Sequence, residues 1–231
     1  MKLSRLFPEE RSLQWGEKGF FSSWLRDVSV YFSPKRGKAL FYLFAGTLLG
    51  MAMLFFLVAM LVLIGAYSYV GSTSVPAASV IISFLSFLLY SSIEELLCRG
   101  ILMPALSASR GGTAGALGSA VFFSLMHAAN PSVTLLALLN AFLFGLWFAS
   151  VVQRSKSLFP VFGLHAGWNF AQSLLGLQVS GNESPYALLR FESRIPWLSG
   201  GAFGPEASPL LLLLLVSLFF YLGISKKVFK E

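Results

Sequence analysis

Charge is scarce in this chain. Of its 231 residues only 12% are Asp, Glu, Lys or Arg, while 56% are hydrophobic. A soluble domain carries roughly 25% charged residues, so the composition argues against a water-exposed globule. Cysteine is nearly absent. Cys98 stands alone, which excludes an intrachain disulfide and any Cys-based metal site. Histidine is almost as rare, with only His127 and His165. The alternating segments of about 10 residues that build a membrane β-barrel are missing too. The first 38 residues are charged throughout, and the first long apolar run begins only after Lys38. That pattern does not read as a signal peptide. No internal repeat is visible, and no low-complexity tract beyond the leucine run at 210–215.

What is present is long apolar runs, several of them above the ~18 residues that read as a spanning helix. In lipid only helices or closed barrels satisfy the backbone, so the expected fold class is all-α. The expected architecture is a polytopic integral membrane helical bundle with about six transmembrane helices. The spans fall near 39–70, 76–106, 112–128, 132–153, 157–178 and 208–225. Ser208-Pro209 opens the last helix with a cap residue followed by proline in the first turn. Residues 1–38 form a basic segment and 39–231 the transmembrane domain. Within the first, Phe20, Phe21, Trp24, Leu25, Val28, Tyr31 and Phe32 recur at helical spacing. They predict an amphipathic helix, lying on the membrane surface or packed on the bundle.

The net charge of +7 does not indicate nucleic acid. The basic residues sit in short clusters beside apolar runs, as topology signals and contacts for anionic lipid do. With the N-terminus in the cytoplasm and six spans, Arg110, Arg154, Lys156 and the C-terminal Lys226, Lys227 and Lys230 all fall inside. "GSTSVP" and "AANPSV" then fall outside, and neither carries a basic residue. The bilayer is thus an expected partner, and both termini are expected in the cytoplasm.

Ionisable groups inside spans are costly and mark functional sites by default. Glu94, Glu95, Arg99, His127 and His165 are the candidates, and Asn169 lies one helical turn after His165. Counted from the proposed cytoplasmic ends, Glu94 lies ~18 Å deep, His127 ~22 Å, His165 ~12 Å and Asn169 ~18 Å. Three helices therefore bring polar groups toward the middle of a core ~30 Å thick. Glu95 and Arg99, at i and i+4, can pair on one face, while Glu94 is turned about 100° away. A carboxylate in an apolar bundle near a histidine can serve as a general base toward water. A second histidine and an asparagine can donate to an oxyanion. Each group also has a plainer reading. Glu95 and Arg99 can be a structural bridge, and His165 and Asn169 interhelical hydrogen-bond glue. Phe123 and Cys98 read as packing, and the glycines of "RGGTAGALGSA" as close helix contact.

Three motifs then stand in order along successive spans: "EELLCRG" (94–100), "FSLMH" (123–127) and "HAGWN" (165–169). They match Glu-Glu-x-x-x-Arg, Phe-x-x-x-His and His-x-x-x-Asn. In this the chain resembles the CAAX protease and bacteriocin-processing (CPBP or Abi) family, which includes the type II CAAX prenyl endopeptidases. The resemblance covers roughly residues 76–178. It implies an intramembrane peptidase in which Glu94 and His127 activate water, His165 and Asn169 stabilise the oxyanion, and Glu95 and Arg99 support the site. Members have been labelled metalloproteases, while a metal-free glutamate mechanism has been argued for the prenyl endopeptidases. Glu94, His127 and His165 are the donors that would hold a metal such as zinc. The His-Glu-x-x-His zinc helix is missing, and no metal or other cofactor is favoured. The family's prenyl endopeptidases typically have eight spans, against six here, which bears on substrate entry.

The expected function is hydrolysis of a peptide bond in a membrane-associated, prenylated or leader-type peptide, with that peptide or protein as the substrate partner. The alternative is a non-enzymatic bacteriocin-immunity or regulatory membrane protein that keeps the same pocket. A proton-coupled transporter also uses buried Glu and His, but would favour repeats and broken helices. The short chain reads as bacterial, which places it in the inner (cell) membrane.

Overall fold

A computed structural model describes residues 24–25, 28–29, 31, 38–184 and 186–228. The chain runs α1 (Lys38–Leu63), β1 (Tyr67–Ser72), α2 (Ala77–Arg110), α3 (Gly112–Met126), α4 (Leu135–Ser155) and α5 (Phe159–Leu174). It continues through β2 (Leu189–Ser193), a single turn at Pro196–Ser199, two 3-10 turns at Gly201–Phe203 and Pro205–Ala207, and α6 (Pro209–Val228). Each of the six expected apolar runs is helical. Three of the helices, α1, α2 and α4, are long and apolar enough to cross a membrane. Gly112–Met126 and Pro209–Tyr221 are apolar but shorter. The tally of about six full-length spans is therefore not reproduced by helix length and hydropathy.

The chain is mostly helical, and one two-stranded ribbon is added to the helices. β1 pairs antiparallel with β2, from Tyr67 opposite Ser193 to Ser72 opposite Leu189, with a bulge between Tyr69 and Gly71. The first span was expected to reach residue 70, but α1 stops at Leu63. Gly65 ends it, with φ +75. Its N–H donates to Val62 O at 2.9 Å and that of Ala66 to Leu61 O at 2.8 Å. This is a Schellman stop, which favours glycine because only glycine adopts positive φ at little cost. Tyr67 then turns inward, buried, and its hydroxyl donates to Ser199 O at 3.0 Å.

The buried centre of the molecule is α5, packed between α1 and α2. Two glycine pairs at i and i+4 make this possible. A Cβ on Gly46 or Gly50 would strike Pro160 O or Leu164 O of α5. A Cβ on Gly163 or Gly167 would strike Leu43 O or Thr47 O of α1. Both helices thus use small residues four apart to bring backbone against backbone, the device by which helices associate in lipid. His165 sits between the two glycines of α5. At Gly111, φ +84 turns α2 into α3, and Gly115 packs against Met103 O and Ser107. Both observations agree with the close-contact reading of that glycine-rich stretch.

Thr134 caps α4 by accepting from Ala137 N at 3.1 Å. Ser208 accepts from Leu210 N at 3.1 Å, so the cap expected for the last helix is present. Of the expected amphipathic N-terminal helix, Trp24, Leu25, Val28 and Tyr31 are described, and all four are helical. Trp24 donates to Ile101 O at 3.4 Å and Tyr31 is buried in the core, so these two residues pack on the bundle, while Leu25 is exposed. Phe20, Phe21 and Phe32 lie outside the described residues.

Candidate active site

Glu94 and Glu95 close the regular α-helical part of α2. From Leu96 to Leu102 the helix widens into π-helical hydrogen bonding, an irregularity that recurs at functional sites. Arg99 lies in this wide turn and is completely buried. Its Nη1 donates to Glu95 Oε1 at 2.9 Å, and Glu95 is equally buried. The expected i, i+4 pair is therefore formed inside the bundle. Arg99 is also stacked, with Cζ 4.5 Å from the Phe123 ring centre and 5.5 Å from that of Phe148. Such cation–ring contacts strengthen when desolvated. Gly145 leaves the slot for this guanidinium, since a Cβ there would lie 3.0 Å from Arg99 Nη2.

The same Glu95 oxygen meets His165 Nδ1 at 3.1 Å. Because Glu95 is the acceptor, Nδ1 donates, and the ring's other nitrogen turns toward Glu94. His165 Nε2 lies 3.9 Å from Glu94 Oε2. That is beyond a hydrogen bond, and Glu94 Oε2 is buried with no partner although the side chain as a whole is 31% exposed. On the same face of α5, Asn169 Nδ2 donates to Ser91 Oγ over a long 3.4 Å, and Asn169 Oδ1 has no partner.

His127 ends α3 as its C-cap residue. Its Nδ1 is 2.8 Å from Phe123 O. A carbonyl only accepts, so Nδ1 carries the proton and a neutral ring leaves Nε2 as an acceptor. The structure joins His127 to the rest through Phe123, whose ring centre lies 4.8 Å from that of His127 and 5.7 Å from that of His165. Phe123 packs as expected, but it packs between Arg99 and both histidines. Cys98 is buried against Met126, its Sγ 3.8 Å from Sδ, and takes no part in the polar cluster.

Beside this cluster opens a narrow cleft, about 30 Å³ as a water-sized sphere samples it. His127 and His165 line it, together with Phe144, Phe148, Trp168, Ser180 and Glu206. Glu94 and Asn169 are not in its wall. Glu95 and Arg99 lie deeper. Sequence reasoning missed Phe148, Ser91, Ser180 and Glu206, and gave Trp168 no role. Trp168 lies inside the "HAGWN" motif, so adjacency could have found it. Glu206 arrives from a loop with no spacing relation to any motif.

Glu94, His127 and His165 were the donors considered for zinc. Among the described residues no group of three or more His, Cys, Asp or Glu side chains converges as a metal site.

Residues 76–171 match the family model described as "Type II CAAX prenyl endopeptidase Rce1-like". The matched stretch contains Glu94, Glu95, Arg99, His127, His165 and Asn169. It supports the assignment of the chain to the CAAX protease and bacteriocin-processing family. Together with the three long apolar helices among the described residues, the match points to an integral membrane protein. Neither a curated protein nor a solved structure matches the chain.

Proposed function

We propose that the protein is an intramembrane endopeptidase in which Glu94 activates the attacking water. One observation carries this reading: Glu94 Oε2 is buried, unpartnered and 3.9 Å from His165 Nε2. A water touching both at about 2.8 Å fits that gap as the apex of a bent bridge. Glu94 takes the water's proton as the oxygen attacks the peptide carbonyl. The oxyanion then accepts from Asn169 Nδ2, which the long bond to Ser91 holds only weakly, and from the Nε2–H of a His165 ring that is protonated at the start of the cycle, anchored by Glu95, and keeps both its protons throughout. The C–N bond breaks as Glu94 returns its proton to the leaving amine, and acid and water-derived proton balance. His127, with Nε2 free to accept, assists the water from the cleft side. Glu95 and Arg99 hold His165 and act as positioning residues. The reading needs no metal and no other cofactor.

The substrate class is a peptide or protein at the membrane, prenylated or carrying a leader. The distribution of basic residues supports cytoplasmic termini, and a bacterial inner membrane is the proposed site. The test is cleavage of a quenched peptide library, including prenylated C-terminal peptides, by purified protein in detergent and in lipid nanodiscs. Wild type and Glu94→Gln are run side by side, with and without a chelator. Cleavage by wild type that Glu94→Gln abolishes and the chelator spares is the expected result. Cleavage abolished by the chelator overturns the metal-free mechanism. No cleavage in either environment favours a non-enzymatic immunity or regulatory role.

A further inference from the structure

Glu206 lines the same cleft as His127 and His165 but belongs to none of the three motifs. Its Oε1 accepts from Trp168 Nε1 at 3.2 Å. Its Oε2 accepts from both Ser180 N and Ser180 Oγ at 2.7 Å. Asn140 fixes its main chain, donating from Nδ2 to Glu206 O at 2.8 Å. Ser180 in turn is held by Asn130, whose Nδ2 donates to Ser180 O at 3.0 Å. The carboxylate is thus pinned from α5, from the turn after it and, through its own backbone, from α4.

All three donors to the carboxylate are neutral. Among the described residues the ion pairs join Arg99 to Glu95, His165 to Glu94 and Glu95, and Arg194 to Glu192; none reaches Glu206. The charge of Glu206 also acts on His165, but at longer range, since the contacts of that ring are with Glu94 and Glu95. Away from the histidines and Ser180, the cleft wall is alanine and aromatic ring. A rigid negative charge in a largely apolar cleft is a recognition element for a cation, because low polarity strengthens the attraction and the geometry is set in advance. Phe144 and Trp168, edge to face at 4.9 Å, add ring faces that favour a cation as well.

We propose that Glu206 is a specificity-determining residue that binds a basic side chain, lysine or arginine, of the peptide in the cleft. This rests on the peptidase reading for its context but is tested by binding alone. Fluorescent peptides identical except for one position, carrying Lys, norleucine or Glu, are titrated against the protein in nanodiscs of uncharged lipid. Wild type is expected to bind the Lys peptide roughly tenfold tighter than the norleucine peptide, about 1.4 kcal/mol, and the Glu peptide weakest. Added salt narrows the gap. Glu206→Gln removes the preference. Ser180→Ala, which loses one donor and keeps the charge, retains it, and so separates charge recognition from a merely structural role. Equal binding of the Lys and norleucine peptides by wild type overturns the proposal, as does absence of binding by all three or an unchanged preference in Glu206→Gln. Cleavage of the same peptides is scored separately. A Lys preference without cleavage refutes the peptidase reading and leaves the cation site standing.

Discussion

Replacing Arg99 by Met removes the guanidinium from Glu95 and leaves His165 Nδ1 as its remaining hydrogen-bond partner. Arg99 and Glu95 are both fully buried, and Nη1 to Oε1 is 2.9 Å. Met keeps much of the stem volume, so the loss is mainly of charge and of the stacking on Phe123 and Phe148. Breaking a buried pair from one side costs about 3–5 kcal/mol, because an uncompensated charge stays behind. For a domain of this size that is a melting shift of roughly 6–20 °C. Removing the charge on both sides is different: Glu95→Leu with Arg99→Met leaves neither member of the pair without its counter-charge, and apolar replacements of buried pairs are often nearly neutral. The double variant should therefore melt above Arg99→Met alone. It should still lose peptide cleavage, since His165 Nδ1 has lost its acceptor. The assay is scanning fluorimetry of wild type, both single variants and the double variant in one detergent. The reasoning fails if Arg99→Met shifts melting by less than a few degrees, or if the double variant is the least stable of the four.

Glu94→Gln should abolish cleavage in the peptide assay and leave size-exclusion behaviour unchanged, because its Oε2 has no hydrogen bond to lose. Asn169→Ala should lower kcat by about 10²–10³, the effect of removing one oxyanion donor, with KM changed far less. Gly50→Val places a side chain against Leu164 O and forces α1 from α5; a loss of about 1–3 kcal/mol in melting is expected, with activity lost in proportion as His165 moves. Burial pushes the Tyr67 phenol above its ordinary range. The unfolded chain therefore releases this proton first, near pH 10. Above that pH the unfolded state binds fewer protons, so stability falls. Tyr67→Phe should flatten the decline in melting temperature between pH 9 and 11 relative to wild type.

Apolar run length alone determined that the chain is helical and where five of the six helices lie, because a backbone in lipid has few ways to satisfy its hydrogen bonds. The three motifs carried the resemblance to the family and pointed to the polar residues worth following. The i, i+4 spacing gave the Glu95–Arg99 pair, since the helix itself sets that distance. Even the glycine pairs of α1 and α5 were written in the sequence, at 46 and 50 and at 163 and 167, and went unread. The α1 stop at Gly65 was legible in principle but hidden by the apolar residues that follow it. Other features needed the tertiary structure. β1 and β2 are some 120 residues apart, and neither has a turn signal pointing to its partner. The division of the two glutamates between Arg99 and His165 depends on how α5 seats against α2. That seat is set by glycine contacts on the opposite side of α5, with α1. Glu206 reaches the cleft only because Asn140, Ser180 and Trp168 hold its loop in place. A helix fixes contacts within four residues. Contacts between helices and across long loops depend on packing, which no local pattern encodes.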